Sequence, residues 1–272
     1  MKGEGSFFMD LEPRDMVIAL AVKHNGDWNR VYAGLKCRDE FTDEEAAALA
    51  KSVRSKTLTF LDPDYPQYLL DGCIRPPFCL FYYGDISLIY DSSRVLTVVG
   101  SREPSDYASN KTREICRDMI KKGYILCSGL AYGIDTIAAE EGAKIRGGGI
   151  AVLGCGIDNM YPLENVGLKR TLVHRGLVLS EYPGDAPPDS KNFPMRNRIL
   201  AGLGSTTFAS EIKNHSGTSI TVAYALAMNK DVGVLPFQAG EMYLNNSFIK
   251  GGAALIESSE DLLLMMKGAP RK

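Results

Sequence analysis

Five uncharged residues, Val95-Leu96-Thr97-Val98-Val99, run into the turn Gly100-Ser101-Arg102 and then into a segment carrying Ile115, Met119 and Ile120 at helical spacing. Strand, glycine turn and helix, in that order, open a doubly wound α/β sheet. Ligands of such sheets bind beyond the carboxyl ends of the strands, where Gly100, Ser101 and Arg102 fall. An arginine there asks for an anion.

The chain then repeats the pattern. Strands are predicted over 95–99, 124–127, 149–153, 178–179, 206–209, 232–235 and 254–256. Helices are predicted over 105–122, 134–146, 166–174, 196–203, 219–228 and 247–250, with a last short helix over 261–266. Alternation at this spacing gives a mostly parallel sheet covered on both faces. Upstream, Met16, Ile18, Ala19, Leu20 and Val22 fit a helix over 11–23, and Trp28, Val31, Tyr32 and Leu35 recur at i, i+3, i+4 and i+7. Thr42, with Glu45 three residues on, is a capping box for a helix over 44–54. A small helical domain is therefore expected over 1–55 and a sheet-based domain over 56–272. In the latter, the apolar runs at 58–61 and 78–83 are expected to add edge structure, separated by a proline-punctuated loop at 62–66.

The formal net charge is -2 over 272 residues, so an anionic partner has to be held by a local patch. No apolar run reaches the roughly 18 residues of a membrane span, and the N-terminal MKGEGSFFMDLEPRD lacks the apolar centre of a secretion signal. A cytoplasmic protein without a membrane partner is expected. Cys37, Cys73, Cys79, Cys116, Cys127 and Cys155 are widely spaced with no C-x-x-C, which reads as reduced thiols rather than disulfides or metal ligands. The histidines His24, His174 and His215 assemble no catalytic set, so neither catalysis nor a metal is expected.

The strand-exit loops carry the informative residues: Gly100-Ser101-Arg102, the run from Ser128-Gly129 to Asp135, Gly154-Cys155-Gly156, the run from Lys191 to Arg198, and Ser216-Gly217-Thr218. Parallel strands place all of them on one rim. Glycines let backbone N–H groups approach a ligand, and the helix start after Ser216-Gly217 favours anions. Arg102, Lys191, Arg196 and Arg198 can add charge-assisted bonds to phosphate oxygens. Gly154-x-Gly156 departs from G-x-G-x-x-G, so no dinucleotide cofactor is expected. Phe193 among basic residues suits an unpaired base stacked beside a clamped phosphate. On these residues a second reading stays open. Phe193-Pro194 would be a packing loop, with the arginines solvated or paired with Glu181 and Glu211.

Read in order, VVGSR (98–102), SGLAYGID (128–135), AVLGCGID (151–158) with YPLEN (161–165), LSEYPG (179–184), FPMRNRILAGL (193–203) and SGTSIT (216–221) resemble the DNA-processing protein A (DprA/Smf) family. The resemblance covers 56–262 and implies an extended Rossmann-like sheet preceded by a helical, sterile-alpha-motif-like domain. It implies a homodimer that binds and protects incoming single-stranded DNA and loads the RecA recombinase in natural transformation, with no established catalytic activity. The family's DNA-contacting residues fall on Arg102, Lys191 and Phe193. Gly100, Ser101, Ser128, Gly129, Arg196, Asn197, Arg198, Ser216 and Gly217 line or shape the same pocket. Ala139 stands where members carry a histidine, and Leu163 where a lysine is common. The chain stops soon after Asp261, so the winged-helix-like domain of some members is not expected. The alternative is a nucleotide-binding or nucleotide-hydrolysing protein that resembles the lysine-decarboxylase-like phosphoribohydrolases. It would use Glu211 or Asp135 as acid–base group, but the PGGxGTxxE run of those enzymes is missing.

Overall fold

The computed structural model describes residues 12–37, 41–214 and 216–268. Its strands are β1 (Lys56–Thr59), β2 (Cys79–Gly84), β3 (Val95–Val99), β4 (Ile125–Ser128), β5 (Gly149–Leu153), β6 (Leu177–Ser180), β7 (Thr206–Ala209), β8 (Asp231–Val234) and β9 (Ala254–Leu255). They form one sheet in the order β1-β2-β6-β5-β4-β3-β7-β8-β9. The strands from β3 onward pair in parallel, and β2 is antiparallel to both β1 and β6. The edge structure expected from residues 58–61 and 78–83 is thus the antiparallel pair that extends the sheet beyond β6.

The period of two along each strand decides what each face touches. Leu96, Val98, Leu126 and Phe208 meet Ile115 and Met119 of α5 (Asp106–Lys121), Ile134 and Ile137 of α6 (Ile134–Ala143), and Leu262 of α11 (Ser259–Gly268). Val95, Val99, Ile150 and Val152 meet Ile199, Leu200 and Leu203 of α8 (Asn192–Leu203), with Val222 and Ala225 of α9 (Gly217–Ala227). Every residue of β3 is buried, because both its faces are covered.

The N-terminal helices α1 (Pro13–Lys23), α2 (Trp28–Lys36) and α3 (Asp43–Ser52) adjoin a third apolar cluster against the sheet. Val17 and Ile18 pack with Phe81, Leu130, Leu153 and Val178, and each such side chain contributes about 1.5–3 kcal/mol by leaving water. Trp28 stacks on Phe78 at 5.0 Å and donates its Nε1–H to the Pro76 carbonyl at 2.9 Å. The capping box of α3 is formed, with Thr42 Oγ1 accepting from the Glu45 N–H and Glu45 Oε2 accepting from the Thr42 N–H.

Three helices depart from the expectation, α6 by ending at Ala143 rather than at 146. A six-residue helix, α4 (Gln67–Gly72), follows Pro66 and is too short to show a period. α8 begins at Asn192 rather than at 196, because Pro194 lies in its first turn, where backbone N–H groups have no helical acceptor to lose. Phe193 is therefore held on a helix. Among the described residues the other α-helices are α7 (Val166–Arg175) and α10 (Asn245–Lys250). Among the described residues no helix is long and apolar enough to cross a membrane.

From β3 the chain moves outward through β4 and β5 to β6, and α8 then carries it back to β7 on the other flank of β3. The topological switch point, where such sheets bind ligands, lies between β3 and β7.

Candidate nucleic-acid interface

A cleft of about 860 Å³ opens at that switch point. It is lined by Gly100, Ser101, Arg102, Phe193, Arg196, Asn197, Ser216 and Gly217, so the turn after β3, the start of α8 and the start of α9 converge as the sequence predicts. The turn after β3 is fixed at three points. The Ser101 carbonyl accepts the Ile134 N–H at 3.1 Å, the buried Glu211 accepts the Ser105 N–H through Oε2 at 2.9 Å, and Lys213 Nζ donates to the Glu103 carbonyl at 3.0 Å. Arg102 is exposed on this anchored turn, its guanidinium 5.7 Å from the centroid of the Phe193 ring, within cation–π range.

Phe193 is placed by a glycine. A Cβ on Gly154 would lie 2.6 Å from the Phe193 ring, so only glycine lets the ring settle there. Tyr161 flanks it, with centroids 5.6 Å apart and planes tilted by 55°. Opposite, Ser216 Oγ accepts the Ser219 N–H at 3.4 Å and caps α9, whose first turn faces the cleft through Gly217 and Thr218. The positive end of that helix is available to an anion. Asn197 ties the walls together: its Nδ2 donates to the Gly217 carbonyl at 3.0 Å, and its Oδ1 accepts from Arg196 Nε at 3.1 Å.

Below the cleft lies a buried layer. Arg196, 4% exposed, donates to the carbonyls of Gly129 (2.8 Å) and Val152 at the ends of β4 and β5. Burial pushes its pKa down, opposed mainly by the Asp135 carboxylate. Gly129 leaves the room: a Cβ there would sit 2.4 Å from the Arg196 guanidinium. Burial pushes the Asp135 carboxyl up, while Arg196 and the backbone N–H groups of Ala131 and Gly129 pull the other way. Ser128 is buried, its Oγ donating to the Asp135 carbonyl at 3.0 Å. Ser128 and Gly129 thus shape the floor without lining it.

Arg198 is not at the rim. Its side chain is wholly buried; NH2 donates to both oxygens of Glu181 at 2.6 and 2.8 Å, Nε to the Arg75 carbonyl at 2.8 Å and NH1 to the Met195 carbonyl at 2.9 Å. Burial pulls the guanidinium down, but the neighbouring Glu181 carboxylate outweighs it and holds the group above its ordinary value. Two helical residues apart is about 200° of rotation, so Arg196 and Arg198 point to opposite sides of α8. For Arg198 the pairing with Glu181, left open above, is the one formed. Lys191 is exposed beside the cleft and paired with Asp189 at 3.3 Å. Lys213 and Tyr161 also line the cleft; Tyr161 stood in the sequence reading only as part of the YPLEN motif, and Lys213 escaped it. The signal for Lys213 was its position three residues before Ser216 on the same strand-exit loop. His215 lies outside the described residues.

Residues 56–267 match the family model described as DNA recombination-mediator protein A. The chain is 39% identical over 219 residues to Protein Smf of Synechocystis sp., covering 78% of this chain and 54% of that protein. It is 32% identical over 208 residues to the DNA processing protein DprA of Bacillus subtilis, covering 76% and 69%. It thus spans about half the length of the first of these curated relatives. The solved structure of DNA processing protein A from Streptococcus pneumoniae superposes with a TM-score of 0.74 at 28% identity over 92% of each chain. That from Helicobacter pylori, described for its single-stranded DNA binding mode, superposes with 0.70 at 27% identity, covering 79% of this chain and 97% of that one.

Proposed function

The chain belongs to the DNA recombination-mediator protein A family, and on that premise we propose that its cleft binds single-stranded DNA. One observation carries the reading: an aromatic ring, Phe193, stands in the cleft with the exposed guanidinium of Arg102 beside it. A base free of its complement can stack on the ring while Arg102, Lys213, Lys191 and the start of α9 hold phosphate oxygens. Stacked and paired bases of a duplex offer no free face to Phe193. Stacking and charge read no base edges, so the mode tolerates any sequence. The single-strand binding described for the Helicobacter pylori relative supports it.

Protection of incoming strands, loading of the RecA recombinase, a homodimer and a cytoplasmic location belong to the same proposal and rest on the family. So does the division into a helical unit over 1–55 and a sheet domain over 56–272. Binding without turnover is the favoured mode, because Glu211 is wholly buried outside the cleft lining and Asp135 is buried beside Arg196 with one oxygen accepting the Gly129 N–H. Incubation with nucleoside monophosphates should release no base.

Fluorescence anisotropy with labelled single- and double-stranded oligonucleotides across a salt series tests the reading. Single strands should bind more tightly, with a log–log salt slope of about -2 if about three phosphates are neutralised. Arg102→Ala with Lys191→Ala should flatten that slope by about 1.4 while the melting temperature stays put. A preference for duplex, or an unchanged slope in the folded double variant, refutes it.

A further inference from the structure

We propose that Tyr161, with Leu163 and Tyr132 beside it, forms a second base-stacking ledge, so that the cleft seats two unpaired bases of one strand on differently inclined planes. The inference deepens the single-strand reading above and rests on it. Tyr161 is 41% exposed and lines the cleft, next to Phe193. With their planes 55° apart, one flat base cannot lie parallel to both rings. Two rings therefore take two bases, and the strand turns between them.

The ledge continues past Tyr161. Leu163 is 73% exposed and Tyr132 is 38% exposed, on two loops that the Tyr132–Glu164 hydrogen bond holds together outside the cleft lining. It is also rigid. The buried Asn165 donates through Nδ2 to the carbonyls of Leu130 (3.1 Å) and Ala131 (3.3 Å) and to Thr136 Oγ1 (2.9 Å). These bonds clamp the segment carrying Tyr161 and Leu163 to the loop carrying Tyr132. The Tyr132 hydroxyl donates to Glu164 Oε2 at 2.6 Å, which orients that ring. Rings held in place lose little freedom when a base arrives. The charged group bonded to the ledge is a carboxylate, so it attracts no phosphate. It adds affinity through the base face alone, independent of base identity and of salt.

The test uses otherwise abasic single strands carrying one base, or two bases separated by no, one or two abasic residues, with a fully based strand as control. Anisotropy is read for the whole chain and for Tyr161→Ala and Tyr161→Phe. In wild type the second base, at its best spacing, should tighten binding by about 5- to 150-fold, the range of one base–aromatic stack. The gain should vanish in Tyr161→Ala, persist in Tyr161→Phe and leave the salt slope unchanged. No gain from the second base in wild type, which needs no variant to fold, overturns the ledge, as does a gain that survives Tyr161→Ala. Failure of wild type to bind the fully based control strikes the single-strand reading instead.

Discussion

Replacing Arg198 by methionine separates its structural work from phosphate contact. Methionine keeps most of the length and packing and removes the charge. Glu181 is then left as a buried carboxylate whose partner is gone, since both of its oxygens accept from Arg198 NH2. Removing one member of a buried pair costs about 3–5 kcal/mol. The Arg75 and Met195 carbonyls also lose a donor each. For a chain of this size the dependence on urea is near the upper end, about 3 kcal/mol per M, so the unfolding midpoint should fall by about 1–1.7 M. Adding Glu181→Leu to Arg198→Met should recover most of the loss, because replacing both ions by apolar groups is often neutral. At temperatures where the single variant is folded, its single-strand affinity and salt slope should match wild type. Two results would refute the reasoning. One is a urea midpoint within about 0.3 M of wild type. The other is a folded variant whose salt slope loses about 0.7, the share of one phosphate.

The two glycines behind the cleft should behave oppositely. Gly154→Ala presses on the half-exposed Phe193 ring, which can swing aside, so single-strand affinity should fall about fivefold or more with the melting temperature nearly unchanged. Gly129→Ala meets the buried, hydrogen-bonded guanidinium of Arg196, which cannot, and should cost about 1–3 kcal/mol in chemical denaturation. A pH effect is expected at Lys230, whose ammonium donates to the carbonyls of Gly202 and Gly204 (2.6 Å) and is lowered to about 8 by burial. An unfolded lysine keeps its proton to about 10.4, so between those values the unfolded chain binds more protons and stability rises with pH. The rise due to Lys230 should be on the order of 1–3 kcal/mol. It is read as the difference between wild type and Lys230→Met in urea midpoints at pH 7.5 and 9.5, because buried thiols such as Cys127, raised to about 12, act in the opposite direction in both. A difference that does not change with pH would contradict the assignment.

Much of the sheet was legible because its central parallel strands are buried on both faces, which favours uncharged, mostly apolar runs. Val95–Val99 announces itself in that way, as does Gly149–Leu153. The Thr42 and Glu45 capping box was legible because it is wholly local. The start of α8 was misplaced because Pro194 reads as a break, whereas in a first turn it breaks nothing. The cleft's cations were partly misassigned for a different reason. Arg102, Arg196 and Arg198 are chemically identical in the sequence, and their solvent exposure is set by partners distant along the chain.

The chain order alone establishes the layers, the direction of the strands and the rim on which a ligand sits. Those follow from periodicity and from the handed, short connections of parallel strands, which act between near neighbours. Which arginine meets that ligand depends on Glu181, Gly129 and Val152, brought beside α8 only when the strands pair. The same holds for Phe193 and Tyr161, inclined to one another because Gly154 leaves room for one ring and Asn165 clamps the segment bearing the other. Charge and aromaticity are properties of residues, whereas desolvation and inclination are properties of neighbours.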